Sequence, residues 1–545
     1  MAQPPATQTR KPRARPVPQA AGPAPAPNRP RELDIGERTF RIGVAACTTA
    51  VAAFLLARLT AWPPHEDETL ALFLGRDSLP GMLDTVLGQR GGAPLHFFFA
   101  WIVAHLGGGL VALRLLSAAF AVASVPVVAL LCARLAGRAA ALAATILVSA
   151  SWMLLFHGVY GRMYSLFLLT STLSYLAFVN AVAHGGRRRW ALWAIAVLAA
   201  VATHPYGALV LGSQVLFVLA RARTREALVA VAAVAVAGTP FWYTDLVLAG
   251  RFEVSVGTGG AKLDGPLPVA EYLVHVAGDF TAGYLIALVA VLALAAVGAR
   301  SLWVRSRGAA VLAGLVLAVP AVALTATQFG ESTSPESRHL VFALPFFAAL
   351  VGTGLLALAR RRLAVVVAVL AALVAAEVAW GWQKTPPLYE GEPSARVEAR
   401  QAASVWLAAT GRPDDVLFGY EAVYLGAWER SDRFSQTVVP RADANLALQA
   451  LRSAPRLGRG VWVFDASDTN NFVPRMSVPL RYPKPADDFE ARVFGPFLVI
   501  RSRGATKTPR RFLEQSRSVE EVGRSLYMGD ADVNLVTVER ALARL

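Results

Sequence analysis

Four short clusters of ionisable and aromatic side chains interrupt long apolar segments of the sequence, and each cluster directly follows one of these segments. The clusters are His65-Glu66-Asp67-Glu68, then His157, Tyr160, Arg162 and Tyr164, then His204 and Tyr206, and finally Glu331, Glu336, Arg338 and His339. A carboxylate at the boundary between water and lipid can act as a general base on a hydroxyl group. An arginine beside it can hold a phosphate through its planar fork of N–H donors. The residue types therefore predict acid–base chemistry on a substrate that carries a phosphate.

Each cluster also has a purely structural interpretation. An acidic cluster is typical of a solvated loop, Arg162 and Arg338 are typical of snorkelling anchors, and His204 precedes a proline that favours a turn. We interpret as solvated the ionisable residues in or beside one long loop, which are Glu253, Asp264, Glu271, His275 and Asp279. Ionisable residues near a membrane are costly and usually functional. Whether the four clusters form one site therefore depends on the side of the membrane that each faces.

The apolar segments indicate a membrane protein. The chain has 545 residues, of which 55% are hydrophobic and only 17% charged, whereas a soluble domain carries about a quarter charged residues. Blocks of about 20 apolar residues match a hydrocarbon core about 30 Å thick. Eleven spans are predicted, at about 41–62, 110–132, 139–156, 164–182, 190–203, 206–220, 227–245, 279–298, 309–328, 339–358 and 363–382. The first block has no small-residue cleavage site, so we predict a retained span.

The arginines between the spans predict their orientation. Short loops rich in arginine and lysine stay in the cytoplasm, and every second loop of this chain carries at least two arginines. These arginine-rich loops all face the cytoplasm only if Pro94–Leu106, which is apolar but too short for a crossing, does not span the membrane. The N-terminus is then cytoplasmic, and all four clusters face the opposite side, where we expect them to converge on one cavity.

Three domains follow from this topology. Residues 1–39, rich in proline, alanine and arginine, are predicted to form a disordered cytoplasmic tail, and residues 40–382 a transmembrane domain. Residues 383–545 are predicted to form a small extracytoplasmic α/β domain. Its predicted helices are Glu398–Leu407 and Ser518–Met528, and its predicted strands are Asp415–Tyr420, Gly460–Phe464 and Arg492–Ile500. The predicted fold class is an all-α polytopic membrane bundle with this domain at its C-terminal end.

Charge and cysteine content exclude other classes of protein. The net charge of +16 does not indicate nucleic-acid binding, because the arginines are spread between apolar blocks and no module of stacking aromatics accompanies them. The two cysteines, Cys47 and Cys132, fall inside predicted spans. The exported parts therefore have no disulfide and no thiol or zinc chemistry.

A base, a phosphate-binding arginine and a cavity open to lipid together predict sugar transfer from a lipid-linked phosphate to an acceptor hydroxyl. The base would take the acceptor proton, and the arginine would stabilise the phosphate that leaves with the lipid. No nucleotide is needed, which suits a site outside the cytoplasm.

Five segments carry a family resemblance. They are HEDETLALFL with Asp67-Glu68, GGAPLHFFFAWIVAHLGGGLVALRLLSA, GRMYSLFLL, THPYGALVL and SRHLVFALPFFAAL. In this order and spacing they resemble the bacterial glycosyltransferases of the protein mannosyltransferase-like group. That group includes the aminoarabinose transferases of lipid A and has the multi-span GT-C fold.

The resemblance implies an inverting transfer from a polyprenyl-phosphate sugar, with Asp67 as the general base and Glu68 as its neighbour in the site. It implies that Arg162 and Arg338 lie near the donor phosphate. The other expected substrate-binding residues are His65, Glu66, Tyr164, His204, Tyr206 and His339. Tyr160 stands where relatives often have a second acid, which leaves the requirement for a divalent metal open, and His339 stands where relatives have a tyrosine.

The expected partners are a polyprenyl-phosphate sugar donor, the lipid bilayer and an acceptor that is an envelope glycan, a glycolipid or a secreted protein. The expected location is the bacterial plasma membrane. Two alternatives use similar elements, namely a flippase or transporter of lipid-linked sugars and a glycan ligase or polymerase of the cell envelope. The sequence has no internal repeat of the kind found in many transporters, which favours the transferase.

Overall fold

The computed structural model of the protein describes residues 35–251, 263, 265–327, 336–359, 362–465, 488–525 and 531–545. Residues 1–34 of the predicted tail, together with Glu253, Asp264 and Glu331, lie outside the described residues. The end of the predicted tail needs a correction, because helix α1 already begins at Glu37.

The transmembrane part is a bundle of helices. Its helices are α1 (Glu37–Arg58), α2 (Glu66–Gly75), α3 (Leu79–Asp84), α4 (Pro94–His105), α5 (Leu110–Ala136), α6 (Arg138–Ala150), α7 (Trp152–Val159), α8 (Tyr164–His184), α9 (Arg187–Thr203), α10 (Gly207–Arg221), α11 (Arg225–Ala237), α12 (Thr239–Arg251), α13 (Pro266–Thr281), α14 (Leu285–Arg305), α15 (Arg307–Thr327), α16 (Leu344–Ala359) and α17 (Leu363–Lys384). A π-helix at Thr85–Arg90 follows α3, and a 3₁₀-helix at Ser337–Ala343 leads into α16.

Within the described residues, seven helical segments are long and apolar enough to cross a membrane. They are α1, α5, α8, α14, α15, α17 and the segment Ser337–Leu358. Two bent pairs, α6–α7 at 49° and α11–α12 at 54°, raise the number to nine if each pair is one span. The fifth and sixth predicted spans correspond to α9 and α10, which have 17 and 15 residues. The multi-pass bundle is confirmed, and the total of eleven spans stays a prediction.

The bend between α6 and α7 has a clear backbone cause. Helix α6 ends at Ala150, and α7 begins at Trp152, whose N–H donates to Glu377 Oε1 of α17 at 2.5 Å. A break inside a membrane frees backbone groups that must find other partners. The carboxylate of a neighbouring helix supplies that partner here, so the chain can turn toward the site at the end of α7.

The segment between α1 and α5 is helical and contains α2, α3, the π-helix and α4. Helix α2 begins with a capping box, in which the His65 side chain accepts the Asp67 N–H and Glu68 accepts the His65 N–H. Such a box stabilises a helix start. Asp67 therefore lies in the first turn of a short helix rather than in a loop.

The C-terminal domain contains a five-stranded mixed sheet with helices on its faces. Its helices are α18 (Pro386–Glu390), α19 (Ser394–Thr410), α20 (Ala422–Trp428), α21 (Ala444–Ser453), α22 (Pro509–Ser525) and α23 (Ala531–Ala543). Its strands are β1 (Val416–Phe418), β2 (Thr437–Val439), β3 (Gly460–Asp465), β4 (Phe489–Phe494) and β5 (Phe497–Ser502), in the order β2-β1-β3-β5-β4. Strands β1, β2 and β3 are parallel, whereas β5 is antiparallel to both β3 and β4.

One predicted strand needs a correction. Arg492–Ile500 is not a single strand but the turn of the β4–β5 hairpin, in which Phe494 pairs with Phe497. Gly495 lies between the two strands with φ of +52°, a conformation that glycine adopts at little cost. The small α/β domain itself is confirmed.

Three large hydrophobic cores lie within the described residues. The largest fills the transmembrane bundle. The second joins α2 and α4 to one face of the C-terminal sheet, with Leu70, Phe97, Leu417 and Trp428 among its buried residues. The third lies on the other face of the sheet under α21, α22 and α23. The helix that carries Asp67 therefore packs against α4 and shares a hydrophobic core with the C-terminal domain.

Candidate active site

Asp67 is held by groups from the bundle. Its Oδ1 lies 3.1 Å from Arg162 Nη1, and its Oδ2 accepts a hydrogen bond of 3.1 Å from the Tyr160 hydroxyl. Arg162 and Tyr160 follow the end of α7. The bend at Ser151 brings this end of α7 close to Asp67. The Asp67 side chain is 28% exposed and that of Arg162 only 14%, so the pair lies in a recess that solvent still reaches.

The surroundings of Asp67 favour its charged form. Partial burial would raise the pKa of Asp67, but the charges of Arg162, His65 and Arg338 and the Tyr160 hydrogen bond together lower it below the ordinary value. The pKa of Arg162 is raised despite its burial, because Asp67 and neighbouring tyrosines favour the cation. Burial, followed by the charge of Asp67, raises the pKa of Tyr160. The phenol therefore stays protonated as a hydrogen-bond donor.

Arg338 lies at the start of the 3₁₀-helix on the same recess. Its guanidinium stacks over the Tyr164 ring at 4.9 Å and pairs with Glu336, and its side chain is 19% exposed. The Nε atoms of Arg162 and Arg338 are buried and have no hydrogen-bond partner within the described residues. Two guanidinium groups thus keep unused donors beside Asp67, as a site for an anion requires.

Aromatic rings form the floor below the two arginines. The ring centroid of Tyr164 lies 4.7 Å from that of His157, 5.7 Å from that of His204 and 6.0 Å from that of His339. The Tyr206 ring lies 5.2 Å from that of His339. Burial, followed by the charges of Arg162 and Arg338, lowers the pKa of His204 to about 3, so this imidazole is neutral.

The three consecutive carboxylates of α2 point in three directions. Successive residues of an α-helix are rotated by about 100°, and only Asp67 of the three faces Arg162. Glu66 Oε1 accepts the Tyr420 N–H of the C-terminal domain at 3.0 Å. Glu66 thus contacts the C-terminal domain, and its role in substrate binding stays a prediction.

Glu68 is also placed differently from the prediction. Its carboxylate is fully buried and forms two hydrogen bonds with Arg114, of 2.8 Å to Nε and 2.7 Å to Nη2. It also accepts the Gly161 N–H at 2.7 Å. The acceptor positions of Glu68 are occupied by groups of the protein, so this residue fixes α2 and the loop of Arg162 and does not face the recess.

His65 connects the site to solvent. Its side chain is 45% exposed, and its Nδ1 lies 2.9 Å from the Tyr160 hydroxyl and 3.6 Å from Asp67 Oδ2. The structure therefore brings together eight of the predicted site residues, which are His65, Asp67, Arg162, Tyr164, His204, Tyr206, Arg338 and His339.

Arg114, Asp279 and Lys384 complete the surroundings of the site, although the sequence did not single them out for it. Asp279, predicted to be solvated, is 10% exposed and pairs with Lys384 at the end of α17. The Asp279 carboxylate also accepts a hydrogen bond from Ser337, next to Arg338. The Lys384 ammonium lies 3.9 Å from the centroid of the Trp152 ring. Arg114 stood in a quoted segment of the resemblance, which was the available signal for it.

The residue types around Asp67 bear on the divalent metal that the sequence left open. Over the described ranges, no three His, Cys, Asp or Glu side chains are grouped so as to hold a metal ion. The position where relatives often have an acid carries Tyr160, which donates to Asp67. The groups that contact Asp67 are thus hydrogen-bond donors and not metal ligands, and the divalent metal that the sequence left open stays a prediction.

The fold has solved structural neighbours, whereas no family model and no curated protein matches the sequence. ArnT from Cupriavidus metallidurans bound to undecaprenyl phosphate superposes with a TM-score of 0.53 at 14% identity, over 86% of this chain and 98% of ArnT. The archaeal oligosaccharyltransferase AglB from Archaeoglobus fulgidus, in complex with an inhibitory peptide and a dolichol-phosphate, gives 0.51 at 11% identity, over 78% and 69%. Both neighbours are GT-C glycosyltransferases. The chain has the GT-C fold.

The GT-C fold accounts for the distribution of the site over the chain. The acidic residue comes from the segment after the first span, and the two arginines come from segments about a hundred and nearly three hundred residues later. Asp67, Arg162 and Arg338 lie in three of the five quoted segments, in the same order along the chain. The predicted GT-C architecture is confirmed.

Proposed function

We propose that the protein is a membrane glycosyltransferase that moves a single sugar from a polyprenyl-phosphate donor to an acceptor hydroxyl. The observation that carries the proposal is the contact of 3.1 Å between Asp67 and Arg162, with the unused donors of Arg338 beside it. One group can take a proton and the others can bind a phosphate in the same recess. The fold supports the donor class, because the ArnT and AglB structures contain undecaprenyl phosphate and a dolichol-phosphate.

The reaction moves a negative charge across the site. Asp67 accepts the proton of the acceptor hydroxyl and becomes neutral, while the acceptor oxygen forms a bond to the anomeric carbon. The bond from that carbon to the phosphate oxygen breaks, and the phosphodiester with one charge becomes a monoester with up to two. Arg162, which neutralises Asp67 before the reaction, can then neutralise the leaving phosphate.

The site acts mainly through fixed charges and position. Arg162 and Arg338 are held by ion pairs and by ring contacts before the substrate arrives. Such preorganised groups lower a barrier because they need little rearrangement during the reaction. Attack from the face opposite the phosphate inverts the anomeric carbon. The buried rings of Tyr164 and Tyr206 support Arg338 and His339 at this recess.

The proposed location is the extracytoplasmic face of a bacterial plasma membrane. There a lipid-linked sugar is the donor, and the acceptor is an envelope glycan, a glycolipid or a secreted protein. This location rests on the arginine-rich loops of the sequence.

The first test is transfer itself. Membranes that contain the protein are incubated with radiolabelled polyprenyl-phosphate monosaccharides, and we expect one sugar to reach an acceptor. Asp67→Asn should lower the rate about a hundredfold or more, because general-base catalysis contributes about 10²- to 10⁴-fold. Asp84→Asn is the matched control, since Asp84 is an exposed carboxylate beyond α2. Wild-type activity in Asp67→Asn, release of long glycan chains, or flux of lipid-linked sugar without transfer would each reject the proposed reaction.

A further inference from the structure

The helix that carries Asp67 is fixed from two sides. On the bundle side, Glu68 of α2 pairs with Arg114. On the other side, α2 shares a hydrophobic core with the C-terminal domain, in which the Phe73 ring lies 5.6 Å from that of Tyr420 and 5.2 Å from that of Trp428. The distance between Asp67 and Arg162 therefore depends on how the C-terminal domain holds α2.

A polar contact reinforces this core at the start of α2. Glu66 accepts the Tyr420 N–H at 3.0 Å, and its other oxygen lies 4.0 Å from Arg441 Nη1. Glu66 is the residue directly before Asp67. The hydrogen bond from the Tyr420 N–H to this carboxylate is directional and charge-assisted, and the Arg441 guanidinium adds an electrostatic attraction at a distance beyond a hydrogen bond.

Arg441 is built into the domain. Its side chain is 13% exposed, pairs with Glu421, and donates to the Val463 carbonyl at 3.1 Å. Gly419, with φ of +80°, leaves the space for it, since a Cβ at this position would lie 2.2 Å from Arg441 Nε. The guanidinium is thus a rigid support that faces the first turn of α2. The residues that contact it belong to the C-terminal domain and to α2, and not to the arginine recess.

We propose that the C-terminal domain positions the general base, with Arg441 and Glu66 as the positioning residues. The domain fixes the first turn of α2 and thereby sets Asp67 against Arg162 and the acceptor hydroxyl. This inference rests on the proposed function and deepens it, because it makes the domain a part of the catalytic unit. The donor-binding arginines belong to the bundle and are left unchanged by it.

The test compares variants at both ends of the contact in the full-length protein. Arg441→Gln removes the charge, and Glu66→Gln keeps an oxygen for the Tyr420 N–H. We expect each variant to lower kcat by about tenfold to a hundredfold, since a displacement near 1 Å costs about that much. The KM for the donor should change less than about threefold, because the phosphate contacts lie elsewhere. The double variant should be no worse than the stronger single variant, as expected for one shared contact.

Hydrogen exchange provides a readout that does not depend on activity. The amides of α2 should exchange faster in Arg441→Gln than in the wild type, because the helix loses one of its supports. Arg456→Gln is the matched control, since Arg456 is 81% exposed and its nearest carboxylate, that of Asp414, lies at 3.5 Å. We expect this variant to keep both the wild-type kcat and the wild-type exchange.

The outcomes separate this inference from the proposed function. If the wild type shows no transfer, the proposed function fails, and the exchange of α2 alone decides whether the domain holds the helix. If Arg441→Gln keeps both the wild-type kcat and the wild-type exchange, the positioning role is rejected. A rise in donor KM that accounts for the whole loss of kcat/KM also rejects it. Should Arg441→Gln not fold, Glu66→Gln carries the same comparison from the other end of the contact.

Discussion

Both oxygens of Asp67 are engaged before any substrate arrives, one by Arg162 and the other by Tyr160. These contacts hold the carboxylate in place but also weaken it as a base. A substrate phosphate that competes for Arg162 would make Asp67 more basic at the moment when a proton must be taken. The strength of the base is therefore coupled to the presence of the donor.

Tyr160→Phe tests this balance at the level of one hydrogen bond. The Tyr160 hydroxyl helps to lower the pKa of Asp67, so its removal raises that pKa. Since the base must be unprotonated, the acidic limb of the kcat/KM profile should move to higher pH. Rates measured on the variant and the wild type from about pH 2 to pH 6, which covers the ordinary pKa of aspartate and the region below it, give the shift.

Tyr243→Phe is the control for this shift, because Tyr243 is 57% exposed and is not among the site residues. An acidic limb at the same pH in Tyr160→Phe and in the wild type would show that Tyr160 does not act on the base.

The sequence identified the residue types of the site better than their contacts. The arginine-rich loops, which place Asp67, Arg162 and Arg338 on one side of the membrane, and the family resemblance together predicted a shared site. Three consecutive carboxylates look equivalent in a sequence, yet in a helix they diverge by about 100° each. Because α2 was not predicted, the sequence alone does not separate the role of Asp67 from those of Glu66 and Glu68.

At the scale of elements, the ion pair of Glu68 and Arg114 anchors α2 to the second predicted span. Both side chains are almost fully buried, with 0% and 2% exposed. Glu68→Gln should destabilise the protein by about 3–5 kcal/mol, because it leaves a buried guanidinium without its counter-charge. Glu68→Gln combined with Arg114→Met should be less damaging than Glu68→Gln alone. Thermal unfolding of the detergent-solubilised protein measures both.

Asp532→Asn is the comparison for a surface pair, since Asp532 and Arg524 are 77% and 54% exposed. Such pairs contribute at most about 1 kcal/mol. A Glu68→Gln variant with wild-type stability but no transfer would indicate that Glu68 takes a direct part in the reaction.

Long apolar elements were predictable and short ones were not. The apolar blocks gave seven long helices because length and hydropathy decide a crossing. The bend at Ser151 depends on Glu377 from a distant part of the chain, and no local pattern contains that information. The β4–β5 hairpin was read as one strand because its two-residue turn interrupts the apolar run so briefly.

At the scale of the whole molecule, labelling can test the predicted orientation of the spans, which decides the side of the membrane that each loop faces. After Cys47 and Cys132 are replaced by serine, single cysteines are introduced as Arg456→Cys in the C-terminal domain and Arg188→Cys in the first turn of α9. Both positions are exposed. A membrane-impermeant maleimide applied to intact cells should label the first and not the second. Labelling of Arg188→Cys alone would place the recess of Asp67 on the cytoplasmic side.

The shared core of α2, α4 and the C-terminal sheet has a practical consequence for protein production. Expressed without the bundle, residues 386–545 would expose the face that carries Leu417, Tyr424 and Trp428, all buried here. A contiguous apolar face of this kind promotes aggregation. The fragment should therefore be recovered from inclusion bodies, whereas a chimera in which residues 64–106 are linked to it should be more soluble. The boundary between the transmembrane and C-terminal domains, which the sequence predicts between residues 382 and 383, is not the boundary along which the molecule can be divided.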